Sequence, residues 1–113
     1  MPSKFQMGLI EKGYCDERGA GFCATATQLP RGEYGLVALC VKGNILSIYD
    51  VDIRNNLGEL LYEIEMKKIQ NFKNKFVLIG RTVKFTYSGN LYSFTNIAGV
   101  KEALSVMEEE TKK

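Results

Sequence analysis

The segment from Thr82 to Glu110 constrains the fold more than any other part of this chain, because it predicts a β-hairpin followed directly by one amphipathic helix. Apolar and polar residues alternate on both sides of Gly89-Asn90, a dipeptide suited to a two-residue primed turn. With that loop, Phe85 faces Phe94 across the hairpin. One face of the hairpin is then apolar and consists of Val83, Phe85, Tyr87, Tyr92 and Phe94.

The helix that follows is expected to begin at Asn96 as its N-cap and to occupy residues 97–110. Apolar residues recur along it at helical spacing, namely Ile97, Val100, Ala103, Leu104 and Met107. A helix of about four turns is marginal in isolation. We therefore expect this stripe to dock on the aromatic face of the hairpin and the helix to cap the β-structure.

Alternating segments upstream predict further strands, about seven in all. The upstream segments are 22–28, 33–41, 45–52, 59–66 and the short apolar stretch 76–79. A turn is predicted at Leu29–Gly32, and a hairpin loop at Gly43-Asn44 that makes Leu39 face Ile48. The chain is thus predicted to be a single, mainly β domain over residues 1–113, in which residues 1–20 form an N-terminal helix or arm.

Composition sets the broad class of protein. The hydrophobic fraction of 45% and the charged fraction of 25% are typical of a soluble globular domain. No apolar run approaches the roughly 20 residues that a membrane-spanning helix needs. The first residues also lack the apolar core of a signal peptide. We therefore expect a cytoplasmic protein.

No residue pattern indicates catalysis, a cofactor or a metal site. The chain has no histidine to activate a nucleophile. Its three cysteines are 8 and 17 residues apart, which matches no metal site and predicts reduced, mostly buried thiols; they are Cys15, Cys23 and Cys40. Asp50 and Asp52, near Glu59, match no calcium loop. We therefore expect no enzyme activity.

Charge is distributed unevenly along a chain of net charge +2. Residues 1–65 sum to −3, whereas residues 66–99 hold six basic residues and no acidic one. We call those six the basic strip: Lys67, Lys68, Lys73, Lys75, Arg81 and Lys84. They are either ordinary solvated positions beside strands or an electrostatic patch for an anionic partner such as a membrane surface. Nucleic acid is the weaker option, because the aromatic residues that would stack on bases are predicted to lie beneath the helix.

The hairpin over residues 33–52 is apolar on both faces. Its predicted inner face holds Val37, Leu39, Val41, Leu46 and Ile48. An equally apolar outer face predicts cover by the N-terminal segment, by a second sheet or by a partner chain. The candidate interface for self-association or for a protein partner consists of Leu36, Ala38, Ile45 and Tyr49.

Two runs of residues resemble a known family. In Leu61–Ile69 a strand ends in an I-x-φ-x-x-I pattern, where φ is apolar, and Val83–Phe94 carries K-F-x-Y-x-G-x-x-Y-x-F before the helix. Over residues 33–108 the chain resembles the bacterial pleckstrin-homology-like (PH-like, GRAM-related) domain family. The resemblance implies a partly open barrel of about seven antiparallel strands capped by the helix.

The resemblance also implies a non-catalytic binding module for proteins, peptides or lipid headgroups. Its lipid-binding members carry basic residues in the loop between the first two strands, where this chain has only Arg31 within Leu29–Gly32. We therefore predict an interaction module that acts through a protein partner or self-association. The alternative is peripheral binding to anionic lipid headgroups through the basic strip.

Overall fold

Short strands joined by tight turns make up most of the chain in the computed structural model, which describes residues 11–15, 21–52, 57–77, 80–97 and 101–111. The elements are β1 (Gly21–Gln28), β2 (Gly35–Lys42), β3 (Ile45–Val51), β4 (Leu57–Glu65), a 3-10 helix (Met66–Lys68), β5 (Gln70–Val77), β6 (Gly80–Tyr87), β7 (Asn90–Ile97) and α1 (Lys101–Thr111). No helix among the described residues has the length and apolarity needed to cross a membrane.

All seven strands belong to one antiparallel sheet in the order β4-β3-β2-β1-β7-β6-β5. Strand β1 is central, since it pairs with β2 on one side and with β7 on the other. The sheet is open, with β4 and β5 at its edges. Helix α1 contacts β5 and the 3-10 helix. The predicted mainly β fold, a partly open barrel with a helical cap, is confirmed.

The core is built around Phe85, which is fully buried. Its ring stacks on Tyr92 at a centroid distance of 5.0 Å, and Phe94 and Phe72 follow at 6.1 and 6.4 Å. Met107 of α1 is fully buried in the same cluster. The helix therefore docks on the aromatic side of the sheet, as the sequence predicts.

The hairpin of β2 and β3 confirms the predicted pairing. Leu39 stands opposite Ile48, and Lys42 opposite Ile45, which leaves Gly43-Asn44 as the loop. Gly43 has a φ of +63°, a conformation that glycine adopts at little cost.

The terminal hairpin of β6 and β7 has the predicted faces but a different pairing. Tyr87 pairs with Asn90, and Phe85 pairs with Tyr92 rather than with Phe94. The loop is therefore Ser88-Gly89, whose φ angles of +52° and +80° are those that a type I′ turn requires. The register differs from the prediction by two residues. Because side chains alternate with a period of two, the apolar face is unchanged.

The predicted helix start is wrong. Asn96 belongs to β7, because pairing with β6 continues through a bulge to Ile97, which stands opposite Arg81. Helix α1 is described from Lys101. Met107 of the predicted stripe is buried, whereas Val100 and the side chains of Ala103 and Leu104 lie outside the described part of the chain.

A bulge in β4 breaks the alternation that the sequence suggests. Tyr62 pairs with Ile48, but Leu60 pairs with the next residue of β3, so Leu61 is an extra residue. Leu61 consequently packs against the core, and Leu60 is 45% exposed.

Candidate functional site

The basic strip is mostly strand rather than connector. Strand β5 begins at Gln70, and Lys73 stands directly opposite Lys84 of β6. Both lysines are exposed, and no acidic side chain within the described ranges forms an ion pair with either of them. Like charges directly opposite one another destabilise a sheet. This pair therefore has an energetic cost that a bound anion would relieve.

The other members of the basic strip are less closely grouped. Lys67 and Lys68 are exposed in the 3-10 helix, and the Lys68 ammonium lies 3.4 Å from Glu65. The backbone of Lys75 pairs with β6 and that of Arg81 with β5 and β7, but their side chains lie outside the described ones. The structure thus brings Lys73 and Lys84 together and places Lys67 and Lys68 just before β5.

The N-terminal segment covers part of the candidate interface. Tyr14 packs edge-on against Tyr49 with ring centroids 5.0 Å apart. Cys15 and Cys40 are both buried in the same small cluster. A hydrogen bond with Cys15, together with burial, raises the pKa of the Cys40 thiol. The sequence left open whether the N-terminal segment, a second sheet or a partner chain covers the outer face of this hairpin. Residues 14–15 of the N-terminal segment cover part of it.

The four residues of the candidate interface differ in exposure. Ala38 is fully buried and therefore not accessible to a partner. The prediction that Ala38 belongs to the interface is wrong. Ile45 and Tyr49 are half-buried. Leu36 remains 37% exposed. The predicted arm over residues 1–20 lies outside the described residues except for 11–15.

The loop between β1 and β2 engages its one cation internally. The predicted turn is present, since the Gly32 amide donates to the Leu29 carbonyl at 2.9 Å. The Arg31 guanidinium lies 4.8 Å from the centre of the Tyr62 ring, donates to the Leu61 carbonyl at 2.8 Å and lies 3.1 Å from Glu33. Arg31 is therefore engaged by groups of this chain and is not a free anion-binding residue.

Tyr62 of β4 connects these groups. Its hydroxyl donates to Glu33 Oε1 at 2.6 Å and accepts from the Arg31 amide at 3.1 Å. Partial burial works to raise the pKa of Glu33, but the Tyr62 hydrogen bond and the nearby Arg31 charge outweigh it, and the net shift is downward. Since Leu61 is the extra residue of the β4 bulge, Arg31 satisfies a carbonyl at an irregular point of the edge strand. We call this arrangement of Arg31, Glu33 and Tyr62 the loop clamp.

An open recess lies beside the loop clamp. It has a volume of about 280 Å³ and is lined by Gly32, Glu33, Tyr34, Val37, Asp50 and Leu61. Tyr34 is 85% exposed, and Asp50 is exposed opposite Val37 in the β2–β3 ladder. A Cβ at Gly58 would lie 3.9 Å from Asp50 Oδ2, so this glycine leaves one side of the carboxylate uncovered. The recess combines two carboxylates, one exposed aromatic ring and an apolar floor.

Sequence reasoning missed the recess, because it placed Glu33 and Tyr34 at the start of a strand. Tyr34 stands between Gly32 and Gly35, whose φ angles are +87° and +105°. An aromatic residue between two glycines indicates a loop rather than a strand. This pattern of glycines around Tyr34 could have predicted the loop from the sequence.

Comparisons with known proteins identify no family. No family model matches the chain, and no curated protein matches it. Among solved structures, Inner Membrane Complex (IMC) Sub-compartment Protein 3 (ISP3) from Toxoplasma gondii is similar, with 16% identity and a TM-score of 0.49 over 99% of this chain and 87% of that one. The functional argument therefore depends on the site itself.

Proposed function

We propose that this chain is a non-catalytic binding module of the PH-like type and that it acts by contact with another protein chain, which can be a second copy of itself. The observation that carries the proposal is Tyr34, which is 85% exposed beside the recess. Tyrosine provides a large contact area at low conformational cost and is enriched among the residues that dominate binding energy.

The surroundings of Tyr34 support the same function. The loop clamp holds the preceding residues against β4 through hydrogen bonds of 2.6 to 3.2 Å. A loop that is ordered before binding avoids part of the entropy cost of association. On the opposite face of the same strands, Leu36 and Leu60 are further apolar side chains that are 37% and 45% exposed.

Sedimentation velocity over a wide concentration range tests the self-association form of this proposal. We expect the weight-average sedimentation coefficient of the wild type to rise with concentration. The Tyr34→Ser variant should weaken the association by about fivefold or more, because losing a central aromatic contact in an interface typically costs over 1 kcal/mol.

Leu91→Ser is the matched control. Leu91 is a 40% exposed apolar residue on β7 and does not line the recess. Its substitution should leave the association unchanged. A wild type that stays monomeric at every concentration contradicts self-association, and equal effects of the two substitutions contradict a role for Tyr34.

The second candidate function is peripheral binding to an anionic lipid surface through the basic strip. The direct opposition of Lys73 and Lys84 favours it, since their mutual repulsion decreases when an anion binds between them. Exposed Lys67 and Lys68 extend the positive charge along the chain.

Co-sedimentation with phosphatidylserine-containing vesicles tests this candidate. The Lys73→Gln/Lys84→Gln variant should reduce partitioning by about 30-fold at low salt, at about 1 kcal/mol for each lysine near an anionic surface. The charge-matched control Lys12→Gln/Lys42→Gln changes two exposed lysines outside the strip. Wild-type binding that is absent, or that does not weaken with added salt, contradicts lipid binding.

A further inference from the structure

We propose that the recess receives an arginine side chain from an extended segment of the partner. This inference names the chemistry of the partner and therefore rests on the proposed function. Three observations support the inference: the groups that line the recess, the guanidinium site of Arg31 beside the recess, and the size of the recess.

The lining suits a cationic side chain with an apolar stem. Glu33 and Asp50 supply negative charge, whereas Val37 and Leu61 supply an apolar floor. Long basic side chains bury their methylene groups against such surfaces while their charged heads remain in polar surroundings. The exposed ring of Tyr34 offers a face for a cation.

The loop clamp shows how this chain already holds a guanidinium. Arg31 lies over the Tyr62 ring at 4.8 Å, beside the Glu33 carboxylate at 3.1 Å and the Leu61 carbonyl at 2.8 Å. Tyr34 and Asp50 provide the same pair of groups, a tyrosine ring and a carboxylate, within the recess.

Asp50 is the principal charge available to a guest. Both oxygens of Glu33 already have partners, namely the Tyr62 hydroxyl and the Arg31 guanidinium. The carboxylate of Asp50 is exposed, and the absence of a side chain at Gly58 leaves it open to approach. An incoming guanidinium would therefore pair mainly with Asp50.

The size of the recess fits one side chain. With about 280 Å³ and an opening to solvent, the recess has room for one long side chain and lies at the lower end of the roughly 300–1,000 Å³ of small-molecule pockets. The exposed carboxylate of Asp50 repels phosphate, which disfavours lipid headgroups and nucleic acid here. A protein segment that contributes a single basic residue agrees with both the size and the charge.

The test uses acetyl-Ala-Ala-Arg-Ala-Ala-amide and its citrulline counterpart, which replaces the guanidinium with a neutral urea of the same shape. Each peptide is titrated into the full ¹⁵N-labelled chain, and amide chemical shifts are followed. We expect the arginine peptide to shift the amides of Gly32–Val37, Asp50 and Gly58–Leu61, and the citrulline peptide to leave them unchanged.

Variants identify the groups responsible. Asp50→Asn should weaken binding of the arginine peptide by about fivefold, the upper range for one solvent-accessible ion pair. Tyr34→Ala should weaken it by about two- to fivefold through loss of the cation–π contact. Glu63→Gln makes the same charge change at an exposed residue of β4 outside the recess and should have no effect.

Equal shifts with the citrulline peptide, an Asp50→Asn variant that binds as the wild type does, or inorganic phosphate shifting the same amides would each overturn the inference. The result of the peptide titration can be distinguished from the result of the self-association experiment. Tyr34-dependent self-association without any response to the arginine peptide would leave the binding module intact and remove only the arginine site. Peptide binding by a strictly monomeric chain would support the site and contradict self-association.

Discussion

Replacing Phe85 with alanine is expected to lower the free energy of unfolding by about 3–5 kcal/mol, the usual cost of deleting a buried aromatic ring. Phe85 is fully buried, and its ring contacts three other aromatic rings from β5 and β7. The rigid strands cannot close the resulting cavity, so both the transfer energy and the packing contacts are lost. Urea unfolding followed by circular dichroism measures the change.

This loss is large for a domain of 113 residues, because total stabilities are typically about 5–15 kcal/mol. The control is Leu91→Ala on the adjacent strand, which removes a 40% exposed side chain and should change stability by no more than about 0.5 kcal/mol. A loss below about 1 kcal/mol for Phe85→Ala would show that this ring is not the centre of the core.

Oxidation should join Cys15 to Cys40 and raise the free energy of unfolding by about 3.5 kcal/mol, the chain-entropy value for a loop of about 25 residues. The two thiols are buried together and hydrogen-bonded. With oxidised glutathione as the oxidant, each thiol loses its proton, one sulfur–sulfur bond forms in the protein, and two molecules of reduced glutathione are released. The reaction should be slow, because the pKa of Cys40 is raised and little thiolate is present.

Peptide mapping under non-reducing conditions identifies the bond, and urea unfolding with and without reductant measures the gain. Cys23→Ser should preserve both the bond and the gain, whereas Cys15→Ser should abolish them. A disulfide that includes the half-buried Cys23, or a Cys15–Cys40 bond without added stability, would contradict the arrangement described for the N-terminal segment.

The two hairpins show what a hydrophobic pattern can determine. At Gly43-Asn44 the pattern and the turn both select the observed pairing. At the terminal hairpin, Ser88-Gly89 and Gly89-Asn90 give registers that differ by two residues and bury the same face. The pattern therefore identifies the core residues but cannot choose between the two turns.

Other differences between the predicted and the observed structure arise from interactions between segments that are distant in the sequence. The extra residue Leu61 in β4 and the continuation of β7 to Ile97 depend on pairing with β3 and β6, which the local sequence does not contain. The basic strip is visible in the sequence as a run of charge, but the opposition of Lys73 and Lys84 depends on β5 being a strand. The cover over Cys40 and Tyr49 likewise depends on where the N-terminal segment folds back.

The loop clamp also has a consequence for solubility. Strand β4 is an edge of an open sheet, and the free backbone groups of such an edge can recruit strands from other molecules into aggregates. Arg31 occupies the carbonyl of Leu61 in the middle of this edge, where the bulge already interrupts the regular spacing of hydrogen-bonding groups. We therefore expect Arg31 to hinder the pairing of another strand at this point of the edge, while it also holds the loop that carries Tyr34.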